Sequence, residues 1–141
     1  MIYSPDRITE ILSGSNDEDI ASVIKYIKKE ADKGDARANY MLAKWHRDGS
    51  FGFKKSKKDF IRFLKIAMDK MLPEAIYDYG VSVDGKSEDR SKKAMGYYVL
   101  ASILGDADAM DALINYYVYG IVVEKDNFLA SSIKMHKDNY A

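Results

Sequence analysis

The side chains of this chain that could move a proton, hold a metal or grip a charge are two histidines, 22 acids and 22 bases. Cysteine is absent, which removes disulfides, thiolate zinc sites and thiol catalysis. His46 and His136, far apart in sequence and without cysteine, do not make a usual zinc shell, so neither a metal nor any other cofactor is expected. The sequence holds no H-E-x-x-H, no P-loop, no G-x-S-x-G and no dinucleotide fingerprint. Asp106 and Asp108 are paired carboxylates, but they flank a helix start, where capping and the helix dipole account for them better than acid–base work does. A general acid–base site needs tuned, convergent groups, and no such set stands out. The chain is therefore expected not to be an enzyme.

Charge offers a second kind of chemistry. Lys54-Lys55-Ser56-Lys57-Lys58 is the densest basic run, and such runs can contact phosphate. It lies in a loop at a helix start, where a solvated surface is the commoner role. Phe51 and Phe53 stand nearby but do not interleave it as a stacking platform would; they are expected to tuck the loop against the preceding hairpin. Formal net charge is zero, with 15 bases and 11 acids in residues 1–70 and 7 bases and 11 acids in residues 71–141, so the halves carry +4 and −4. A nucleic-acid binder usually shows a clear basic excess, so nucleic acid is an unlikely partner. The start, Met1-Ile-Tyr-Ser-Pro-Asp, lacks the basic and apolar runs of a signal peptide. No apolar stretch approaches the length of a membrane span. No membrane partner is expected, and the expected location is cytoplasmic.

These groups must be held by helices. Ser4-Pro5-Asp6 reads as an N-cap with proline in the first turn of a short helix ending near Gly14. Ser15-Asn16-Asp17-Glu18 has the pattern of a capping box, opening a helix whose Ile20, Val23, Ile24, Ile27 and Ala31 keep a 3.6-residue rhythm. Gly34 stops it. Asp35 caps a helix through about Asp48, and Ser56 with Asp59 starts the next, lined by Phe60, Phe63, Leu64, Ala67 and Met68. Pro73 opens another, closed near Gly85. Ser87 precedes a helix ended at Gly105, Asp106 caps one ended at Gly120, and Asp126 caps the last, whose sparse apolar residues are Leu129, Ile133 and Tyr140. Val118–Val123 alone has strand-like composition and is read as a helix end plus loop. The sum is an all-α fold of about eight helices arranged as hairpins.

The helices repeat with a period near 34–37 residues. Ala38, Ala75 and Ala109 are equivalent, followed four residues later by Leu42, Tyr79 and Leu113, and eight residues later by His46, Val83 and Tyr117. Gly49, Gly85 and Gly120 close the first helices. In the second helices Phe60-x-x-Phe63-Leu64-x-x-Ala67-Met68 matches Ala94-x-x-Tyr97-Tyr98-x-x-Ala101-Ser102, ending at Met71 and Gly105. Small residues allow close helix approach, and aromatics fill the space between hairpins. A hairpin of this kind buries its apolar face only by stacking on a neighbour. His46, at the tyrosine position, is expected to be structural, and His136 to face solvent.

This pattern resembles the Sel-one-like (Sel1-like) repeat, a relative of the tetratricopeptide repeat with the form A-x3-L-G-x2-Y-x2-G, a loop, then D-x2-K-A-x2-W-Y-x2-A-A-x2-G. Lys93-Ala94-Met95-Gly96-Tyr97-Tyr98-Val99-Leu100-Ala101-Ser102-Ile103-Leu104-Gly105-Asp106-Ala107-Asp108-Ala109 matches best, and the resemblance covers about residues 19–141. Ala43 and Ile114 depart from the family's glycine, which only Gly80 keeps, and Met71-Leu72-Pro73 replaces the usual glycine turn. The resemblance implies an α-solenoid forming one domain over residues 1–141, with an N-terminal helical hairpin at 1–34 and repeats at 35–71, 72–105 and 106–141. It also implies that the first helices line a concave face.

That face is expected to carry Tyr40, Lys44 and Trp45 at one end, and Glu74, Tyr77, Asp78, Asp108, Asp111, Asn115 and Tyr119 at the other. The helices at 73–84 and 106–119 hold Glu74, Asp78, Asp84, Asp106, Asp108 and Asp111 with no lysine or arginine. Tyrosine and tryptophan anchor protein interfaces, and acids around them would steer a basic partner. The expected function is non-catalytic protein binding by a monomer or weak oligomer. The resemblance extends to small immunity proteins, so the sharper expectation is a bacterial immunity protein neutralising a basic, nuclease-like toxin. An adaptor or regulatory scaffold in signalling or protein quality control is the alternative, and a nucleic-acid binder or enzyme the remaining one.

Overall fold

A computed structural model describes residues 2–140, the side chain of Tyr140 excepted. The expected apolar role of Tyr140 lies outside the described residues. The described residues form eight helices and no strand: α1 Pro5–Gly14, α2 Asp17–Asp32, α3 Ala36–Asp48, α4 Lys57–Asp69, α5 Pro73–Val83, α6 Glu88–Ile103, α7 Ala107–Tyr119 and α8 Asn127–Tyr140. They fall into two compact units, the first ending at Lys70 with α1–α4, the second beginning at Met71 with α5–α8. Within each unit every helix packs on the next in sequence, which makes the fold one of helical hairpins.

The helix starts follow from side-chain caps. Ser4, Asp35, Ser56, Ser87 and Asp106 each accept a hydrogen bond from the backbone N–H three residues on, and Asp126 accepts from Leu129 N–H at 2.9 Å. Each cap satisfies a donor that the helix itself leaves unpaired. One start differs from expectation. Asn16, not Ser15, caps α2, its Oδ1 accepting from Asp19 N–H at 2.9 Å. Ser15 instead ends α1, where its N–H donates to Ile11 O.

Turn geometry recurs with the repeat. After α3, Gly49 and Phe51 have φ of 70° and 55°; after α7, Gly120 and Val122 have φ of 67° and 66°. Ser56 N–H then returns to His46 O at 2.8 Å, as Asp126 N–H returns to Tyr117 O at 3.0 Å. The ends of the second helices share a left-handed residue as well: Gly34, Met71 and Gly105 have φ of 91°, 61° and 95°. Met71 thus takes, with a side chain, the conformation that glycine takes in the other two.

In the first unit Ile11, Val23, Ile27, Ala31, Ala38, Leu42 and Trp45 form one buried cluster. Asn39 is buried among them and polar. Its Nδ2 donates to Ala31 O at 3.1 Å and Asp35 O at 2.9 Å, tying the end of α2 to the start of α3. His46 is structural, as its place in the repeat suggests: its ring stacks on Phe63 and meets Phe53 edge-on, and Nδ1 lies 3.2 Å from Lys54 O. Phe51 and Phe53 fold back onto Trp45, with centroid distances of 5.2 and 5.5 Å, so the loop is tucked onto its own hairpin.

In the second unit Ala75, Ile76, Ala94, Tyr98, Ala101, Ala109, Met110, Leu113 and Tyr116 are buried. Gly80 marks the closest approach of α5 to α6. A Cβ there would lie 2.8 Å from Tyr98 Cε1 and 3.1 Å from Tyr97 Cβ.

Candidate binding faces

The residues singled out from the sequence fall in both units, and each group takes its setting from its own unit. In the second unit Glu74 and Asp108 occupy equivalent places in the first turns of α5 and α7. Carboxylates are favoured there by the positive end of the helix dipole. Tyr77 and Asp78 follow on α5. Asp108, Asp111, Asn115 and Tyr119 run along the exposed side of α7, and Tyr119 is 67% exposed.

The two helices bring their acids within electrostatic reach of one another. Burial first, and then the charges of Asp108, Asp78, Asp106 and Asp111, push the Tyr77 hydroxyl above its ordinary pKa. The Asp106 carboxyl is likewise raised, chiefly by burial, with Asp108, Glu74 and Asp78 adding to the effect against the lowering hydrogen bond from Ala109 N–H. A deprotonated acid therefore feels several like charges from both helices, which is the condition for a negative potential able to attract cations. Among the described residues no three His, Cys, Asp or Glu side chains come together as a metal-binding group.

Two of the residues picked from the sequence are not on the face. Trp45 does not lie on a binding face: it is 6% exposed, inside the core of the first unit. It stands seven residues after Ala38, and at 3.6 residues per turn that spacing returns it to within about 20° of the alanine's own direction. Tyr116, seven residues after Ala109, is buried for the same reason. Asp84 is not a member of the acidic face either. It sits just past α5 as an internal acceptor, taking hydrogen bonds from Ser91 Oγ at 3.0 Å, Tyr98 OH at 3.0 Å and Tyr116 OH at 3.2 Å. Asp111 stays on the face but is engaged by a base from outside α5 and α7, Lys137 Nζ of α8, at 2.8 Å. Counting charges helix by helix missed that lysine.

The Asp84 cluster was itself invisible in the sequence, since its members are drawn from the end of α5, from α6 and from α7. Burial, with the Asp84 hydrogen bond and charge, raises the Tyr98 hydroxyl far above its usual range. Burial and the Asp84 charge push Tyr116 up to about 12.

In the first unit Tyr40 and Lys44 share the wall of a cleft formed by α1, α2 and α3, with Lys44 Nζ 4.9 Å from the Tyr40 ring centroid. Lys54, Lys55, Lys57 and Lys58 are all exposed, and Lys28 lies over Phe53 beside them. No described helix is long and apolar enough to cross a membrane.

No family model matches the chain, and no curated protein does. Solved structures do. The chain is similar to a Sel1 repeat protein from Oxalobacter formigenes, at 28% identity and a TM-score of 0.69, over 82% of this chain and 87% of that one. It is also similar to a protective antigen present in uropathogenic Escherichia coli strains and displaying an SLR (Sel1-like repeat) fold, at 23% identity and a TM-score of 0.70. That match covers 92% of this chain but only 27% of the antigen.

Proposed function

This chain is a Sel1-like repeat α-solenoid, and on that premise we propose that it is a protein-binding module whose α5–α7 face receives a basic surface of another protein. The observation that carries the reading is the placing of acids on α5 and α7: Glu74 and Asp108 stand at equivalent first-turn positions, with the charges of Asp78, Asp106, Asp108 and Asp111 acting on Tyr77 and that of Glu74 on Asp106. Like charges held this close repel, and a cationic partner relieves the repulsion while gaining attraction of its own. Exposed Tyr119 supplies an amphipathic ring at the edge of the same face, suited to an interface. The task assigned to these carboxylates is recognition rather than catalysis. In the sharper form of the proposal the partner is a basic, nuclease-like toxin domain and the chain is its immunity protein. The support for that form is the fit of an acidic, tyrosine-bearing face to a basic enzyme surface.

The test is affinity capture from the native cell with the wild-type chain and with the Glu74→Lys, Asp78→Lys, Asp108→Lys triple variant, both shown to be helical by circular dichroism. A basic protein retained by the first and lost by the second supports the reading. A partner retained equally by both removes the acidic face from recognition. A captured protein with nuclease activity that the chain abolishes on mixing supports the immunity form, and a basic partner without toxicity refutes it.

A further inference from the structure

We propose that the cleft between α5 and α6 of the second unit binds a small planar aromatic anion, with Lys93 as its countercharge and the bare backbone at Gly96 as its floor. This site is separate from the acidic α5–α7 face. At about 100° per residue, Glu74 lies about 160° around α5 from the direction shared by Tyr79 and Val83, the two α5 residues that line the cleft.

The observation behind it is a glycine that packing does not explain. Gly96 stands in the interior of α6, where glycine is the poorest helix former after proline. Gly80, in α5, is required by its neighbours, because a Cβ there would meet Tyr98 and Tyr97. A Cβ at Gly96 would meet nothing within 4 Å. Nor does the repeat ask for glycine, since Arg62 holds the equivalent place in α4. What the missing side chain does is open the helix backbone to the cleft, which Gly96 lines with Tyr79, Val83, Lys93, Tyr97 and Leu100. Glycine is the residue that lets a backbone come close to a ligand.

The cleft has a volume of about 550 Å³, within the range of small-molecule sites. Its walls suit a flat ring. Tyr79 and Tyr97 meet edge to face, with centroids 4.9 Å apart and planes at 77°, so an incoming ring can stack on one and meet the edge of the other. Val83 and Leu100 complete the apolar lining. The charge of the occupant follows from the charge of the lining. Lys93 is its single charged residue, and no acid lines the cleft with it. Among the described residues Lys93 is in no ion pair. An ammonium at the mouth of an apolar cleft attracts an anion more strongly than it does in open water, because the surrounding protein screens the pair less.

The experiment is a titration of the full ¹⁵N-labelled chain with naphthalene-2-carboxylate, with its neutral counterpart naphthalene-2-carboxamide, and with octanoate, an anion without a ring. Amide chemical shifts report binding and also whether each variant is folded. The aromatic acid is expected to shift the amides of Val83, Gly96, Tyr97 and Leu100 saturably. The carboxamide should bind about three- to fivefold more weakly, the range of a partly exposed ion pair, and octanoate should bind more weakly than the aromatic acid as well. Lys93→Gln should erase the difference between acid and amide. Gly96→Ala should raise the thermal midpoint by a few degrees, as a better helix former in open space does, and yet weaken binding. Gly96→Leu should fill the cleft and abolish binding with the fold kept. Absence of saturable shifts at these amides, carboxamide or octanoate binding as tight as that of the aromatic acid, or an acid preference that survives Lys93→Gln would overturn the proposal. So would a lowered midpoint in Gly96→Ala, which would make the glycine a packing requirement, or unchanged binding in Gly96→Leu.

Discussion

At Gly80 a methyl group would sit 2.8 Å from Tyr98 Cε1 and 3.1 Å from Tyr97 Cβ. Tyr98 cannot swing away freely, since its hydroxyl is bonded to Asp84. Gly80→Ala is expected to destabilise the second unit by about 1–3 kcal/mol, the usual cost of overpacking, although alanine is the better helix former. An unchanged or raised unfolding midpoint in urea would show that α5 and α6 separate easily. The hydroxyls around Asp84 give a second expectation. A tyrosine whose folded pKa is raised contributes fully below the unfolded value near 10 and loses that contribution as pH climbs toward the folded value. With Tyr116 pushed up to about 12 and Tyr98 higher, stability should hold to about pH 10 and then fall, by on the order of 1–2 kcal/mol from Tyr116 alone near pH 11. Urea midpoints at pH 8 and pH 11 measure this. The drop should be smaller in Tyr116→Phe, and an equal drop in both proteins would contradict the assignment.

Helices and their junctions were the most legible part of the sequence. Proline at a helix start and Ser, Asp or Asn caps act over three or four residues, so they can be read locally, and the positions of α1 to α8 follow from them. At Ser15 and Asn16 two capping residues stand side by side, both in extended conformation, and only the hydrogen bond from Asp19 N–H to Asn16 Oδ1 distinguishes the cap. The repeat placed Ala38, Ala75 and Ala109 correctly as buried contacts. It failed at Trp45, where an aromatic suited to interfaces was preferred over its phase on the helix. The Asp84 cluster and the Lys137–Asp111 pair join residues from different elements, and no local pattern encodes them. The hairpin junction at Met71 offers a test at this scale. A non-glycine residue at φ 61° pays a backbone cost of about 1 kcal/mol that glycine avoids. Met71→Gly should therefore raise the thermal midpoint by a few degrees, on the order expected for about 1 kcal/mol in a domain of this size. A lowered midpoint would mean that the methionine side chain contributes more than its backbone conformation costs.

At the scale of the whole molecule, a chain with no net charge separates its charges, +4 in residues 1–70 and −4 in residues 71–141. The separation is not imposed by the repeat, whose requirements are small residues, aromatics and turns. It reaches the surface as exposed Asp108 and Asp111 with half-buried Glu74 and Asp78 in one unit, and as exposed Lys54, Lys55, Lys57 and Lys58 in the other. Electrostatic recognition of this kind governs the rate of association more than its final strength, and it weakens with salt. The most direct measurement is therefore the association rate of the captured partner with the chain at low and high ionic strength, for wild type, for the Glu74→Lys, Asp78→Lys, Asp108→Lys variant, and for a variant with Lys54, Lys55, Lys57 and Lys58 reversed to glutamate. Wild type should associate more slowly as salt rises. The acidic-face variant should lose about tenfold or more at low salt and with it most of the salt dependence. The lysine variant should behave as wild type. A lysine variant that loses binding while the acidic-face variant keeps it would contradict the account and place recognition on the basic loop.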